Sequence, residues 1–300
     1  MRKNRGLLLL IALLSVFTLV MTACGTDEPA DEPSGGDATG DAEEISCDGC
    51  TLVNEGRLTV GSDIPYPPFE FEEGGALTGY DVELVQAIAE KLGLENEDDD
   101  WISTDFGTIF QQLASNTKFD IVVAAVTGYA APGTPAEETV DERKNVIDFT
   151  LPYYPSLQSL TVDVEANPDI TGVDSLPDGA RVGVQRATTG AFYAEENLTG
   201  AELVSFEKAP QIYQALQAGQ LDAVFNDLPV SLSSIEGKDQ LQVVEQIETG
   251  EEYAIAVSKD NTALTDAINA ALEELFADGT FAEIYKKYFP EQELPSYASE

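Results

Sequence analysis

Phe119-Asp120-Ile121-Val122-Val123-Ala124-Ala125-Val126-Thr127 decides the fold. A short apolar run rich in valine, bounded by turn signals, reads as a buried strand. It runs into small residues carrying Thr127 and then a Gly/Pro/Glu-rich interval from Gly128 to Val140. Asp141-Glu142-Arg143-Lys144 follows, and then Phe149-Thr150-Leu151-Pro152-Tyr153-Tyr154. Arginine is scarce: past the leader only Arg57, Arg143, Arg181 and Arg186 occur, in a chain with 55 acidic and 15 basic residues. An arginine kept beside a strand end is a candidate anion clamp, because its fork matches a carboxylate bidentately. The competing reading of Arg143 is a surface pair with Asp141 or Glu142.

Outward from this strand, strands and helices alternate. Leu58 to Gly61 reads as a strand, and Tyr80 to Leu92 as a helix stopped by Gly93. Asp105 to Leu113 reads as a second helix. Leu160 to Val162 and Arg181 to Gln185 open a second series. Helix 190–196, strand 203–205, helix 210–217, strand 221–225, a short helix 229–235 and strand 241–244 continue it. Strand 253–257, a patterned helix 262–276 and a last helix 281–289, ended by Pro290, complete the chain. Repeated β-α-β predicts an α/β fold with parallel or mixed sheets covered by helices. Two series predict two lobes, each with ligand-accepting loops at the carboxyl ends of its strands.

The formal charge of −40 excludes a nucleic-acid binder, which needs a basic face. It suits solubility in high salt, where self-repulsion is screened. At the N-terminus Arg2, Lys3 and Arg5 precede an apolar run from Leu7 to Met21, the pattern of an export signal over residues 1–23. Ala23-Cys24-Gly25 resembles a bacterial lipobox, which makes Cys24 the expected lipidated residue. The body is then outside the cytoplasm, lipid-anchored at the extracellular face of the membrane. Residues 24–56 read as a disordered acidic tether, with order beginning near Leu52. The tether holds Cys47 and Cys50, which outside the cell are expected to form a small disulfide loop.

The chain has no histidine. Histidine-based triads and most transition-metal sites are thereby excluded. No phosphate-cradling glycine loop follows a strand. No cofactor and no metal are expected, and the sequence offers no placed acid or base of an enzyme. Polar groups just after strands remain. Asp63, Tyr66 and Phe69 lie in a proline-stiffened loop, and Phe106 opens the second helix. Ala124, Ala125 and Thr127 leave backbone groups reachable, and Arg143 follows. Gln185-Arg186-Ala187-Thr188-Thr189-Gly190 offers hydroxyls and a helix N-terminus. Asp227 ends a strand with a carboxylate. Thr188 or Thr189 also reads as an N-cap, Asp227 as a helix-start acid and Tyr66 as a packing ring. As a set they match the parts of a zwitterionic amino acid.

The chain resembles the family 3 extracellular solute-binding proteins, which deliver polar amino acids to ABC importers. The matching stretches are Leu58 to Phe69, Gly79 to Leu84, Phe119 to Thr127, Glu142-Arg143 through Tyr154, Arg181 to Gly190, Gly219 to Val224 and Ala277 to Phe289. The resemblance implies a two-lobed periplasmic-binding-protein-like (venus flytrap) fold with two hinge strands. Lobe 1 would be 57–154 plus 253–290, lobe 2 would be 155–252, and 291–300 a tail. It further implies that Arg143, helped by Thr127, Thr188 and Thr189, takes the ligand α-carboxylate, and that Asp227 takes the α-ammonium. Asp63, Tyr66, Phe106 and Gln185 would surround the side chain, beside Ala125. An ABC importer permease would be the protein partner. The family's short turn between threonine and arginine is replaced here by the Gly128 to Val140 insertion, a rim loop or a shift of register.

Charge counting then points to the ligand side chain. Arg143 and Asp227 cancel against the α-groups, and Asp63 is left facing the side chain. A buried unpaired carboxylate is costly, so a donor or cation is expected: glutamine, or the Arg/Lys/His class. Arg186 pointing inward would instead pair with Asp63 or favour an acidic ligand. Ectoine-type compatible solutes are the alternative, and a secreted cyclohexadienyl (prephenate/arogenate) dehydratase a further one.

Overall fold

The computed structural model describes residues 45–115 and 117–299. The export signal, Cys24 and the tether up to Glu44 lie outside the described residues. In chain order β1 (Val60–Ser62) leads to the hairpin β2 (Phe71–Glu73) and β3 (Ala76–Thr78), then to α1 (Tyr80–Lys91). β4 (Trp101–Ser103), α2 (Phe106–Ala114), β5 (Ile121–Val122), β6 (Thr127–Tyr129) and α3 (Pro135–Lys144) follow. Then come β7 (Ile147–Asp163), β8 (Arg181–Gln185), α4 (Thr189–Asn197), β9 (Glu202–Phe206), α5 (Ala209–Gln217) and β10 (Ala223–Asp227). α6 (Leu228–Ile235), β11 (Leu241–Ser258), α7 (Thr262–Asp278) and α8 (Thr280–Tyr288) complete the order.

The sheet runs β4-β1-β5-β11-β7-β10-β8-β9, with β6 added on β11. β4, β1 and β5 are mutually parallel, as are β10, β8 and β9. Between these groups lie β7 and β11, antiparallel to each other along nearly their whole length. Each parallel group with its helices is one lobe, and β7 and β11 are the strands common to both. Both are longer than the sequence suggests. β11 unites the two separate strands expected at 241–244 and 253–257, because register shifts around Ile247/Glu251 and Tyr253/Ala254 break its apolar alternation without breaking the pairing.

Ile88, Leu84, Ile268, Leu272 and Phe281 bury the facing stripes of α1, α7 and α8. Leu160, Val182, Val184, Ala194 and Phe225 form a second cluster, and Ile109, Leu113, Phe119 and Val122 a third under α2. At the start of α1, Gly79 has φ 133°, and a Cβ there would stand 2.0 Å from the Phe69 carbonyl oxygen. Only glycine fits that turn. Phe69 is ringed by Tyr80, Tyr154, Tyr253 and Phe289, with centroids 5.2 to 6.2 Å away.

Three expectations need correction. The interval before Arg143 is not a loop: Thr134 caps α3 by accepting from the Glu137 N–H, Pro135 sits in the first turn, and Arg143 lies in the last turn. The described end of the tether is packed, not disordered. Ile45, Cys47, Cys50 and Leu52 rest on the core, Cys47 and Cys50 are joined in a disulfide, and the Val53 N–H donates to Asp120 at 2.6 Å. The last residues are not a free tail either, since Leu294 and Tyr297 pack on the core.

Candidate functional site

The carboxyl ends of both parallel groups meet at the middle of the sheet. Asp63 follows β1, Ala124 and Ala125 follow β5, Gln185 ends β8, and Asp227 ends β10. Together with Tyr66, Phe106, Thr127, Arg143, Thr188 and Thr189 they line one cavity. All ten side chains selected from the sequence are in this lining, and Ala124 joins them. The turns that form it are strained: Ala125 and Ala187 hold φ of 48° and 62°, left-handed values rare for residues with a Cβ.

Arg143 is 6% exposed and enters from α3. It donates to the Thr127 carbonyl at 2.9 Å and to the Ala187 carbonyl at 3.4 Å. Its guanidinium stands 5.4 Å from the Phe106 ring and 5.0 Å from the Phe110 ring. No carboxylate of the described residues lies within ion-pair distance of it. Burial pulls its pKa down to about 10, against the nearby charges of Glu251 and Asp227. A guanidinium has five N–H donors, so most of its fork is free. The surface pair with Asp141 or Glu142 does not form.

Across the cavity Asp227 is also buried. Its Oδ2 accepts from Tyr66 Oη at 2.7 Å and from Tyr253 Oη at 2.6 Å, and its Oδ1 from Gln158 Nε2 at 2.6 Å. The aromatic cluster around Phe69 fixes Tyr253, and so fixes the angle of this carboxylate. Burial and the neighbouring Glu251 push Asp227 up to about 6.

Glu251 was invisible to the sequence reading. Its Oε2 accepts from the hydroxyls of Thr127 at 2.7 Å and Thr189 at 2.6 Å. Its Oε1 accepts from Thr249 at 2.7 Å and Gln158 Nε2 at 3.1 Å. Two of the three threonine hydroxyls expected to help Arg143, those of Thr127 and Thr189, therefore point to a protein carboxylate. Thr188 caps α4, accepting from the Ala191 N–H and donating to the Gln185 carbonyl. What α4 offers the cavity is its first backbone N–H groups, which precede the helical ladder.

The premise that Asp63 is unpaired is also corrected. Lys208, just past β9, pairs with Asp63 Oδ1 and donates to the Ile64 carbonyl at 3.1 Å, while Gln185 Nε2 donates to Asp63 Oδ2 at 2.7 Å. Burial raises Asp63, and Lys208 pulls it back. Arg186 does not point inward. It pairs with Asp105 at 2.8 Å, half-exposed at the rim. Lysine too is scarce beside 55 acidic residues, so a lysine just past a strand end was the signal for Lys208. Gln185 Oε1 is buried and has no partner among the described residues.

A second carboxylate pair sits behind the Ala125 turn. Asp81 Oδ2 accepts from the Ala125 N–H at 3.0 Å and from Tyr153 Oη at 3.1 Å. Asp81 Oδ1 and both oxygens of buried Glu70 have no partner among the described residues. Burial lifts Asp81 to about 7, and burial with Asp81 alongside lifts Glu70 well above the carboxylate range.

The arrangement places a buried cation and a buried carboxylate in one lining. No group in it is placed as nucleophile or proton donor to a bond. Comparison with known proteins agrees. Residues 58–291 match the bacterial extracellular solute-binding proteins, family 3. The L-cystine-binding protein TcyJ of Escherichia coli (strain K12) is 31% identical over 240 residues, 79% of this chain and 84% of that protein. The ABC transporter glutamine-binding protein GlnH of Bacillus subtilis (strain 168) is 26% identical over 284 residues, 94% of this chain and 96% of that protein. Among solved structures, an ancestral arginine-binding protein bound to glutamine superposes with a TM-score of 0.70 at 34% identity, over 79% of this chain and all of that one.

Proposed function

From the premise that this chain belongs to the family 3 bacterial extracellular solute-binding proteins, we propose that it captures a polar or basic α-amino acid for an ABC importer. One observation carries the reading: a buried arginine with no carboxylate partner among the described residues shares the lining of one cavity with a buried aspartate. The fork of Arg143 and the first N–H groups of α4 take the α-carboxylate. Asp227, whose three accepted hydrogen bonds leave acceptor capacity on Oδ1, takes the α-ammonium. Tyr66, Phe106, Ala125, Gln185 and Asp63 border the side chain, and glutamine or the Arg/Lys/His class fits their polarity.

Lobe 1 is 57–154 with 253–290, and lobe 2 is 155–252. Capture proceeds by rotation of the lobes about the two strand crossings, near 155–160 and 249–252. The partner is a membrane permease, and Cys24 carries the lipid anchor. Mass analysis of the mature N-terminus checks the anchor, and an unmodified Cys24 contradicts it.

A thermal-shift panel over the amino acids and ectoine tests the reading as a whole. A ligand at about a hundred times its Kd adds roughly 2.7 kcal/mol of stability. A clear rise with a polar or basic amino acid is expected, and no rise with any of them contradicts the proposal.

A further inference from the structure

Glu251 is the buried ionisable group at this site that the amino-acid reading leaves without a role. It belongs to β11, one of the two shared strands, yet both lobes meet on it. Thr127 from the first lobe and Thr189 from the second donate to the same oxygen. With Thr249 and Gln158 on the other oxygen, four donors surround it, and donors favour the charged form of a carboxylate. Asp227 has three more. Gln158 bridges the pair with one amide nitrogen, which can only donate.

The charges facing this pair can be named element by element. Arg143 comes from α3, Asp227 from β10 and Glu251 from β11. Asp63 and Lys208 come from the loops after β1 and β9 and neutralise each other. Tyr66 and Tyr253 are held in the neutral form by burial and by Asp227. One arginine therefore stands against two carboxylates. A bound zwitterion adds no net charge, so one negative charge stays buried with nothing to offset it.

Resting on the amino-acid reading, we infer that Glu251 sets the charge of the ligand: the site prefers an α-amino acid with a cationic side chain, and takes a neutral one only together with a proton. The side-chain end agrees independently. Gln185 Nε2 is fixed by two acceptors, Asp63 and the Glu207 carbonyl. Its Oε1 is left buried without a donor, and a ligand N–H supplies one. The rings of Tyr66 and Phe106 belong to the same lining. When the ligand is neutral, the proton comes from solvent and settles on Asp227, which shares the Gln158 amide with Glu251. Burial and Glu251 already hold Asp227 up to about 6, within reach of neutral pH.

Calorimetric titration of the full chain and of Glu251→Gln with L-arginine and L-glutamine, at pH 7.5 in two buffers of different ionisation enthalpy, decides it. The unaltered protein is expected to bind arginine at least about tenfold tighter than glutamine. Proton uptake should accompany glutamine and not arginine. In Glu251→Gln the arginine-to-glutamine ratio should fall about tenfold or more, and the proton uptake should vanish. A folded variant that keeps the ratio overturns the inference. So does an unaltered protein that binds glutamine as tightly as arginine with no buffer dependence. If the variant fails to fold, the two-buffer comparison on the unaltered protein decides alone. Failure of every amino acid to bind strikes the parent reading, whereas binding without charge preference strikes this inference alone.

Discussion

Two pairs of buried carboxylates lie on either side of the Ala125 turn, and they are built in opposite ways. Asp227 and Glu251 accept three and four hydrogen bonds from neutral donors. Asp81 accepts two on a single oxygen, and neither oxygen of Glu70 has a donor among the described residues. Donors stabilise the anion, and their absence favours the acid. The first pair is built to keep its charge beside the cavity. Burial pushes both carboxyls of the second pair up, and one oxygen of Asp81 accepts from the Ala125 N–H in its left-handed turn. A buried carboxylate is read by what donates to it, not by how deep it lies.

The largest effect that tests this contrast is on the cation facing the charged pair. Arg143→Lys keeps a positive charge but loses the fork that spans the Thr127 and Ala187 carbonyls and the ligand. The amino-acid Kd should rise roughly a hundredfold, about 3 kcal/mol. Unchanged affinity in a folded variant would place the carboxylate seat elsewhere.

Next in size is the pH dependence of folding without ligand. Folded Asp81 and Asp227 titrate at about 7 and about 6, against about 3.9 when unfolded. Between those values the folded state binds more protons, so stability rises as pH falls. The contribution is complete below about pH 4 and is lost as pH climbs through 6 to 7. Thermal unfolding at pH 5.5 and 7 should show about 2 kcal/mol more stability at the lower value. Meanwhile L-arginine affinity should weaken below about pH 6, as Asp227 loses its charge, whereas L-glutamine, taken up together with a proton, should not weaken with it. A stability that falls with acidification over this range would mean the second pair is ionised.

In the same measurement Glu70→Gln copies the protonated acid without the proton uptake that folding at pH 7 requires of it, so stability at pH 7 should not fall, and a large loss in thermal unfolding would show that Glu70 needs its charge. Arg186→Gln should move affinity least. Its partner Asp105 is at the rim, where exposed pairs are worth about 0 to 1 kcal/mol. A hundredfold loss on titration would show that Arg186 reaches the ligand.

The sequence made the strand-end groups legible because β-α-β order puts them at one edge. Arg143, Asp227, Gln185 and Thr189 were found that way. Gln158, Glu251 and Tyr253 were hidden inside long strands, where polar residues look like the solvent face of an alternating pattern. In a chain with 55 acids, one more glutamate carries no signal. The α3 helix has almost no apolar periodicity, so its interval read as loop. Its signals were a capping threonine, Pro135 after it, acids in the first turn and Arg143-Lys144 in the last. Lys208 sits in the turn between β9 and α5, where a lysine has the look of a solvated surface charge, and its pairing leaves Asp63 without an excess charge for a ligand.

The central claim is that Arg143 and Asp227 read the α-carboxylate and α-ammonium of an amino acid. Titration of the protein with L-arginine and with agmatine, which keeps the guanidinium side chain and lacks the carboxylate, tests it most directly. L-arginine is expected to bind, with agmatine weaker by roughly a hundredfold or more. Equal binding of the two, or binding of neither, would contradict the account.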